Sequence, residues 1–334
     1  MIATRARGEA VRVAKWVLRP WRRRRRAHAL ILLYHRVALA RSDPWKLCVS
    51  PGNFRAQLEV LGRHCEFVPL TELPDRLAAG RPPRRTPVAV TFDDGYVDNL
   101  RNALPALKDA GAPATVFLAT NWIGRAGGFW WDRLAETVLE SPRLPAAIDL
   151  KVGATAFSWA TDRPDSADTR QRTRLHRDLW RFCQSLPDEG RESALARLAE
   201  IFGVESARDP DSRPMRPDEV RELHGSGLVN IGAHAQSHRP LPLLPQAEQD
   251  AEISGSRDAC RALTGVAPEC FAYPHGAVAP GSPQLVERAG FTLACSTVEE
   301  LAWPDRDRYQ LPRISVGNSD GRRFERWLTG TWLR

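Results

Sequence analysis

No two of the six cysteines, at positions 48, 65, 183, 260, 270 and 295, stand in Cys-x-x-Cys spacing. Their scatter sets aside a disulfide framework and fits buried or free thiols. Cys260 and Cys270 are near enough in sequence to pair, but nothing requires it. No stretch of about 18 or more apolar residues occurs, so a membrane-spanning helix is not expected. Internal repeats are absent, and so is low-complexity sequence apart from one run of arginines. No recognition module accompanies the basic residues, which excludes a nucleic-acid partner as the expectation. The short apolar run from Ala29 to Tyr34 leads on without a small-residue cleavage site, so no cleavable signal peptide is read there. The expected location is the cytoplasm.

What the chain does have is 334 residues with 43% hydrophobic content, enough for one barrel domain, and a net charge of +8. Much of that charge lies in residues 1–27, which read as a basic extension with an unbroken run from Arg22 to Arg26. Trp16, Trp21 and several aliphatic residues are interleaved with the arginines. Such a mixture suits peripheral contact with an anionic membrane, here the inner face.

From residue 28 onward the pattern is rhythmic. Leu30–Tyr34, Val88–Phe92 and Ala114–Ala119 are continuous apolar runs, as expected of buried parallel strands. Helical faces at Phe54, Leu58 and Leu61, and at Leu100, Leu104 and Leu107, alternate with them. That alternation argues for a parallel sheet or barrel. It breaks across about 124–214, an insert with a hairpin expected around Gly153 and amphipathic helices over Arg170–Leu186 and Glu192–Phe202. It resumes at Arg216, with strands at Leu228–Ile231, Cys270–Tyr273, Leu293–Ser296 and Leu311–Val316.

Two motifs carry chemistry. Asp93 and Asp94 end an apolar strand just before Gly95, where the backbone turns and both carboxylates can enter one pocket. His234 and His238 follow another strand at i, i+4 spacing and converge if that segment turns helically. Two imidazoles and one carboxylate are the usual ligand set of a catalytic divalent metal with an open position for water. A second carboxylate beside them can take a proton. Asp93, His234 and Pro274 all fall just past strand C-termini, where a parallel barrel builds its active site.

Thr91-Phe-Asp-Asp-Gly95, His234-x-x-x-His238 and Phe271-Ala-Tyr-Pro-His-Gly276 resemble the motifs of the polysaccharide deacetylase (NodB-homology) family. The likeness covers about Leu30 to Val316 and is weakest over the insert. It implies an α/β fold, a deformed (β/α) barrel of about seven parallel strands within residues 28–334, the insert 124–214 following the third strand. It also implies a divalent metal such as Zn²⁺ and removal of acetyl groups, N-acetyl first, from a glycan or lipid-linked sugar. On this resemblance Asp93 is the general base, and Asp94, His234 and His238 are the metal ligands. Tyr273, Pro274, Arg313 and Trp131 are expected to line the substrate, although Trp131 also reads as core of the insert.

Two departures matter. Ala272 stands where many family members have an Arg that orients the base, and His275 stands where they have Tyr. The customary late His is replaced by Leu311-Pro-Arg-Ile314. A general acid is therefore sought elsewhere, and His35, after the first strand, is the candidate ahead of His275, with Arg313 supplying charge nearby. Two alternatives remain: a hydrolase of a small cyclic or linear amide, and a degenerate barrel that binds glycan without cleaving it.

Overall fold

A computed structural model describes residues 26–80, 82–125, 127–164, 169–204 and 212–333. Most of the basic extension, and with it the expected membrane contact, lies outside the described residues. The strands, in chain order, are β1 (Leu30–Tyr34), β2 (Arg36–Val37), β3 (Cys48–Val49), β4 (Cys65–Phe67), β5 (Thr86–Phe92), β6 (Ala114–Leu118), β7 (Ala147–Val152), β8 (Thr155–Ala160), β9 (Val229–Ala233), β10 (Cys270–Ala272), β11 (Leu293–Cys295) and β12 (Ile314–Ser315). Seven of them form a curled, wholly parallel half-barrel in the order β11-β10-β9-β6-β5-β1-β12. The short β4 pairs with the start of β5 beside that path.

Alternation along the strands decides what faces the interior. Leu30, Leu32 and Tyr34 of β1, with Val88, Val90 and Phe92 of β5, join the outer layer beneath the helices. Ile31, Ala89, Phe117, Ala272 and Cys295 join a separate inner cluster. By the same alternation the residues just past the strand ends, His35 and Asp93, continue the inward row. Phe117 fills the interior only because β9 offers Gly232 opposite it; a Cβ there would meet the Phe117 ring at 2.4 Å.

The insert follows the third strand of the seven-strand path, as expected. Its hairpin is β7–β8 with Gly153 at the turn (φ 58°), and its helices span Thr169–Ser185 and Asp188–Phe202. Leu175, Leu179, Phe182, Leu195 and Leu198 bury their apolar faces in a second core with Trp122, Phe129, Trp130 and Trp131. All six cysteines are buried and free, so Cys260 and Cys270 do not pair. No described helix is long and apolar enough to cross a membrane.

Candidate active site

The register brings the strand ends level: Tyr34 pairs with Phe92, and Leu118 with Ala233. The residues that follow therefore meet at one end of the half-barrel. Ligand atoms of Asp94, His234 and His238 all lie within 4.8 Å of one another. Asp94 Oδ1 stands 3.3 Å from His238 Nε2 and 3.8 Å from His234 Nε2. Asp94 and His238 hold left-handed backbone, at φ 74° and 64°, which costs about 1 kcal/mol or more each for residues with a Cβ. Strain of this kind persists only where surrounding structure imposes it. Glu252 does so for the histidine turn: its carboxylate accepts from the Gln236 and Ser237 N–H groups at 2.8 Å each and from Ser237 Oγ at 2.7 Å.

The donor set fits a cation. Asp94 Oδ1 is buried and has no hydrogen-bond partner, a costly state for a carboxylate. His234 Nδ1 donates to the Ala272 carbonyl at 2.7 Å, which leaves Nε2 with a lone pair aimed at the same space. Burial and the neighbouring Asp93 raise the Asp94 pKa well above the carboxylate range. Burial, with His275 and His234 beside it, lowers that of His238 well below the imidazole range. An unpaired carboxylate facing neutral imidazoles is the arrangement a divalent metal satisfies, so these three residues form a possible metal site.

Asp93 is placed differently. Its two oxygens receive a fork from Arg313, NH1 to Oδ1 at 2.6 Å and NH2 to Oδ2 at 2.7 Å. Arg313 is fully buried inside the barrel, with Nε donating to the Ser296 carbonyl at 2.9 Å. Burial alone would raise the Asp93 pKa, but the Arg313 charge and hydrogen bonds outweigh it and hold it at about 2. Asp93 Oδ2 lies 3.6 Å from His234 Nε2. The arginine missing from the Phe271 motif is thus supplied by the segment entering β12. Arg313 was expected against the substrate; its position on Asp93, without solvent contact, corrects that.

The remaining expected residues divide. His35 lies in the field of Asp93, Arg313 and His275; burial lowers its pKa, and Asp93 only partly restores it. His275 stands at the mouth with its ring 4.6 Å from that of His238. Desolvation and His234 lower its pKa, a shift that its surface exposure moderates. Pro274 is buried just past β10. Tyr273 is buried and its hydroxyl donates to the Tyr309 carbonyl at 2.9 Å, so its side chain is committed to the core rather than to a substrate. Trp131 is 5% exposed and packs its ring 4.9 Å from His238. It backs the His238 ring instead of presenting a face for a sugar. Its Nε1 donates to Tyr96 OH at 2.7 Å, which donates to Asp132 at 2.8 Å. The sequence reading missed Tyr96 and Glu252. Tyr96 had a signal, since it directly follows the Asp-Asp-Gly turn; Glu252 had none, being one acid among several on its helix.

The class defined here is an open parallel α/β barrel with two carboxylates and two imidazoles gathered at its strand ends, three of these residues forming a possible metal site. The polysaccharide deacetylase family profile matches residues 80–147 and 150–294. The chain belongs to the polysaccharide deacetylase family. YxkH of Bacillus subtilis (strain 168), assigned by name to polysaccharide deacetylases, is 35% identical over 96 residues, which span 28% of this chain and 33% of that relative. The match thus spans a third of that protein's length. Among solved structures, the Streptococcus pyogenes deacetylase PplD in complex with acetate superposes with a TM-score of 0.57 at 17% identity, covering 89% of this chain and 96% of that one. IcaB from Ammonifex degensii gives a TM-score of 0.57 at 19% identity, covering 90% and 97%. At these identities the structures establish the fold, a half-barrel of the NodB type.

Proposed function

We propose that the chain is a metal-dependent hydrolase that removes acetyl groups, N-acetyl first, from a glycan, with Zn²⁺ held by Asp94, His234 and His238. The observation that carries this reading is Asp93, clamped by Arg313 at 2.6 and 2.7 Å immediately beside that cluster. A divalent metal there supplies Lewis acidity toward the acetyl carbonyl and lowers the pKa of water. Asp93 takes the proton as water attacks, and the Arg313 fork keeps its carboxylate oriented and ionised for that step. The His275 backbone N–H, in the turn after β10, is the proposed donor to the developing oxyanion. His35, in its protonated form, which burial makes the minor one at neutral pH, delivers a proton taken up from solvent to the departing amine. The products are acetate and an amino sugar, or a hydroxyl if the substrate is an ester. The fork also supplies the group whose apparent loss motivated a binding-only barrel, and so favours catalysis over that alternative.

Asp93→Asn tests the reading. The variant is expected to retain metal, measured by elemental analysis, and to lose roughly 10²-fold or more in kcat on an N-acetylated oligosaccharide, the scale of general-base catalysis. Normal turnover by that variant would assign the base elsewhere.

His35→Gln is expected to keep fold and metal while slowing amide hydrolysis more than hydrolysis of an activated aryl acetate, whose phenolate leaves without a proton. Equal slowing of both substrates would remove His35 from the acid role and bring His275 forward.

A further inference from the structure

We propose that Trp45 and Trp180 form a corner at the mouth of the site that seats one pyranose ring of the substrate glycan, outside the sugar that carries the reacting acetyl group. This rests on the deacetylase reading and adds to it the surface that receives the sugar chain.

Trp45 is the one exposed tryptophan among the described residues, at 39%. It is not on a loose loop. The segment between β2 and β3 is tied at its base by the parallel pairs Arg36–Cys48 and Val37–Val49. The Asp43 carboxylate accepts from the Leu47 and Cys48 N–H groups at 2.8 and 2.9 Å. Asp98 grips the other end, accepting from Val37 N at 2.9 Å and Arg36 Nε at 3.0 Å. Lys46, next to Trp45, is held in left-handed backbone at φ 57°. A pinned and strained turn that leaves an indole facing water is a construction for binding.

The ring also has continuity with the chemistry. Trp45 and Trp180 lie 5.0 Å apart between centroids with their planes at 53°. Trp180, half-buried on the Thr169–Ser185 helix, lies 6.2 Å from His275, whose ring is 4.6 Å from that of the ligand His238. Three ring contacts therefore link His238, of the proposed metal site, to the exposed Trp45. Two indoles meeting at an angle make a corner rather than a flat wall. A pyranose fits it, having an apolar C–H face for one indole and a hydroxyl rim left to water, whereas a simple alkyl chain would leave the indole N–H groups and the wet rim unmatched. Trp130 and Trp131 cannot serve, since each is 5% exposed and packed in the insert core.

The test compares wild-type metal-loaded protein with Trp45→Ala and Trp45→Phe, using N-acetylated gluco-oligosaccharides of β-1,4 and β-1,6 linkage, with p-nitrophenyl acetate as a substrate lacking sugar. Trp45→Ala is expected to raise KM for the best oligosaccharide by ~10-fold with kcat within about twofold, the pattern of lost uniform binding. The ratio of oligosaccharide to aryl acetate kcat/KM should fall by the same factor, and Trp45→Phe should recover most of it. Intrinsic indole fluorescence should change on titrating the wild type with that oligosaccharide. Unchanged KM in Trp45→Ala, or no saturation and no fluorescence response with any oligosaccharide, overturns the corner. Failure of the wild type to hydrolyse aryl acetate or any oligosaccharide with added Zn²⁺, while fluorescence still reports sugar binding, would instead strike the deacetylase reading.

Discussion

Arg313→Met should destabilise the protein by about 3–5 kcal/mol and reduce deacetylation by roughly 10²-fold or more. The arginine has no solvent contact, and both its terminal nitrogens donate to Asp93 while Nε donates to the Ser296 carbonyl. Removing it leaves a carboxylate buried at 2% exposure without its cation, and that uncompensated charge is the main cost. The pH dependence follows with its sign. Asp93 titrates at about 2 in the folded chain against an ordinary 3.8. Its contribution to stability is thus present above about pH 4 and lost as pH falls toward 2. Without Arg313, burial is left to raise the Asp93 pKa. The acidic limb of the kcat/KM profile should then move to higher pH, because the base must be ionised to act. Arg313→Lys should fall between, keeping a charge but not the fork. Thermal unfolding and pH–rate profiles of the two variants check both effects; wild-type values in Arg313→Met would end this role for the arginine.

Removing a residue of the proposed metal site should have the other large effect. His234→Ala and His238→Ala should lose bound metal and about 10³-fold or more of activity, since several kcal/mol of charge stabilisation goes with it. Asp94→Asn should lose metal as well but behave differently in chelator. In metal-free wild type, Asp94 Oδ1 is a buried acceptor without a partner. An amide has no charged form for burial to penalise, and it offers N–H groups to the imidazoles. Metal-free Asp94→Asn should therefore unfold later than metal-free wild type, by about 1–3 kcal/mol. Added Zn²⁺ should reverse the order by stabilising only the wild type. Scanning fluorimetry in chelator and in Zn²⁺ reads this directly. A destabilised metal-free Asp94→Asn would mean that the carboxylate has a structural partner.

The sequence made the strands and the acid and histidine motifs legible because they are local. An apolar run followed by Asp-Asp-Gly needs only its own neighbours to be read, and so does Gly153 between two short strands. The short β4 was hidden because Cys65 closes the helical pattern of Pro51–His64, and a three-residue strand has too little sequence to show its own period. Arg313 was noticed as a charge near the site, but its partner was not deducible, since the pairing spans 220 residues and depends on how strands curl. Trp131 shows the limit on exposure: aromatic residues in an insert read alike whether they face a sugar or a core. Which of them surfaces is decided by packing, and it is Trp45, on a different loop, that does.

The origin of the Asp93 clamp also bears on when the protein can act. Asp93 and its arginine are made far apart in time, and Arg313 enters the interior only when β12 docks along β1. The strands that carry the acids and histidines, β5 and β9 with β6 between them, all precede in sequence the segment that brings the cation to Asp93. The cation that lowers the Asp93 pKa is therefore in place only once β12 is seated. With Asp93 as the proposed base, competence for hydrolysis is expected to arrive with completion of the fold rather than with the histidine cluster.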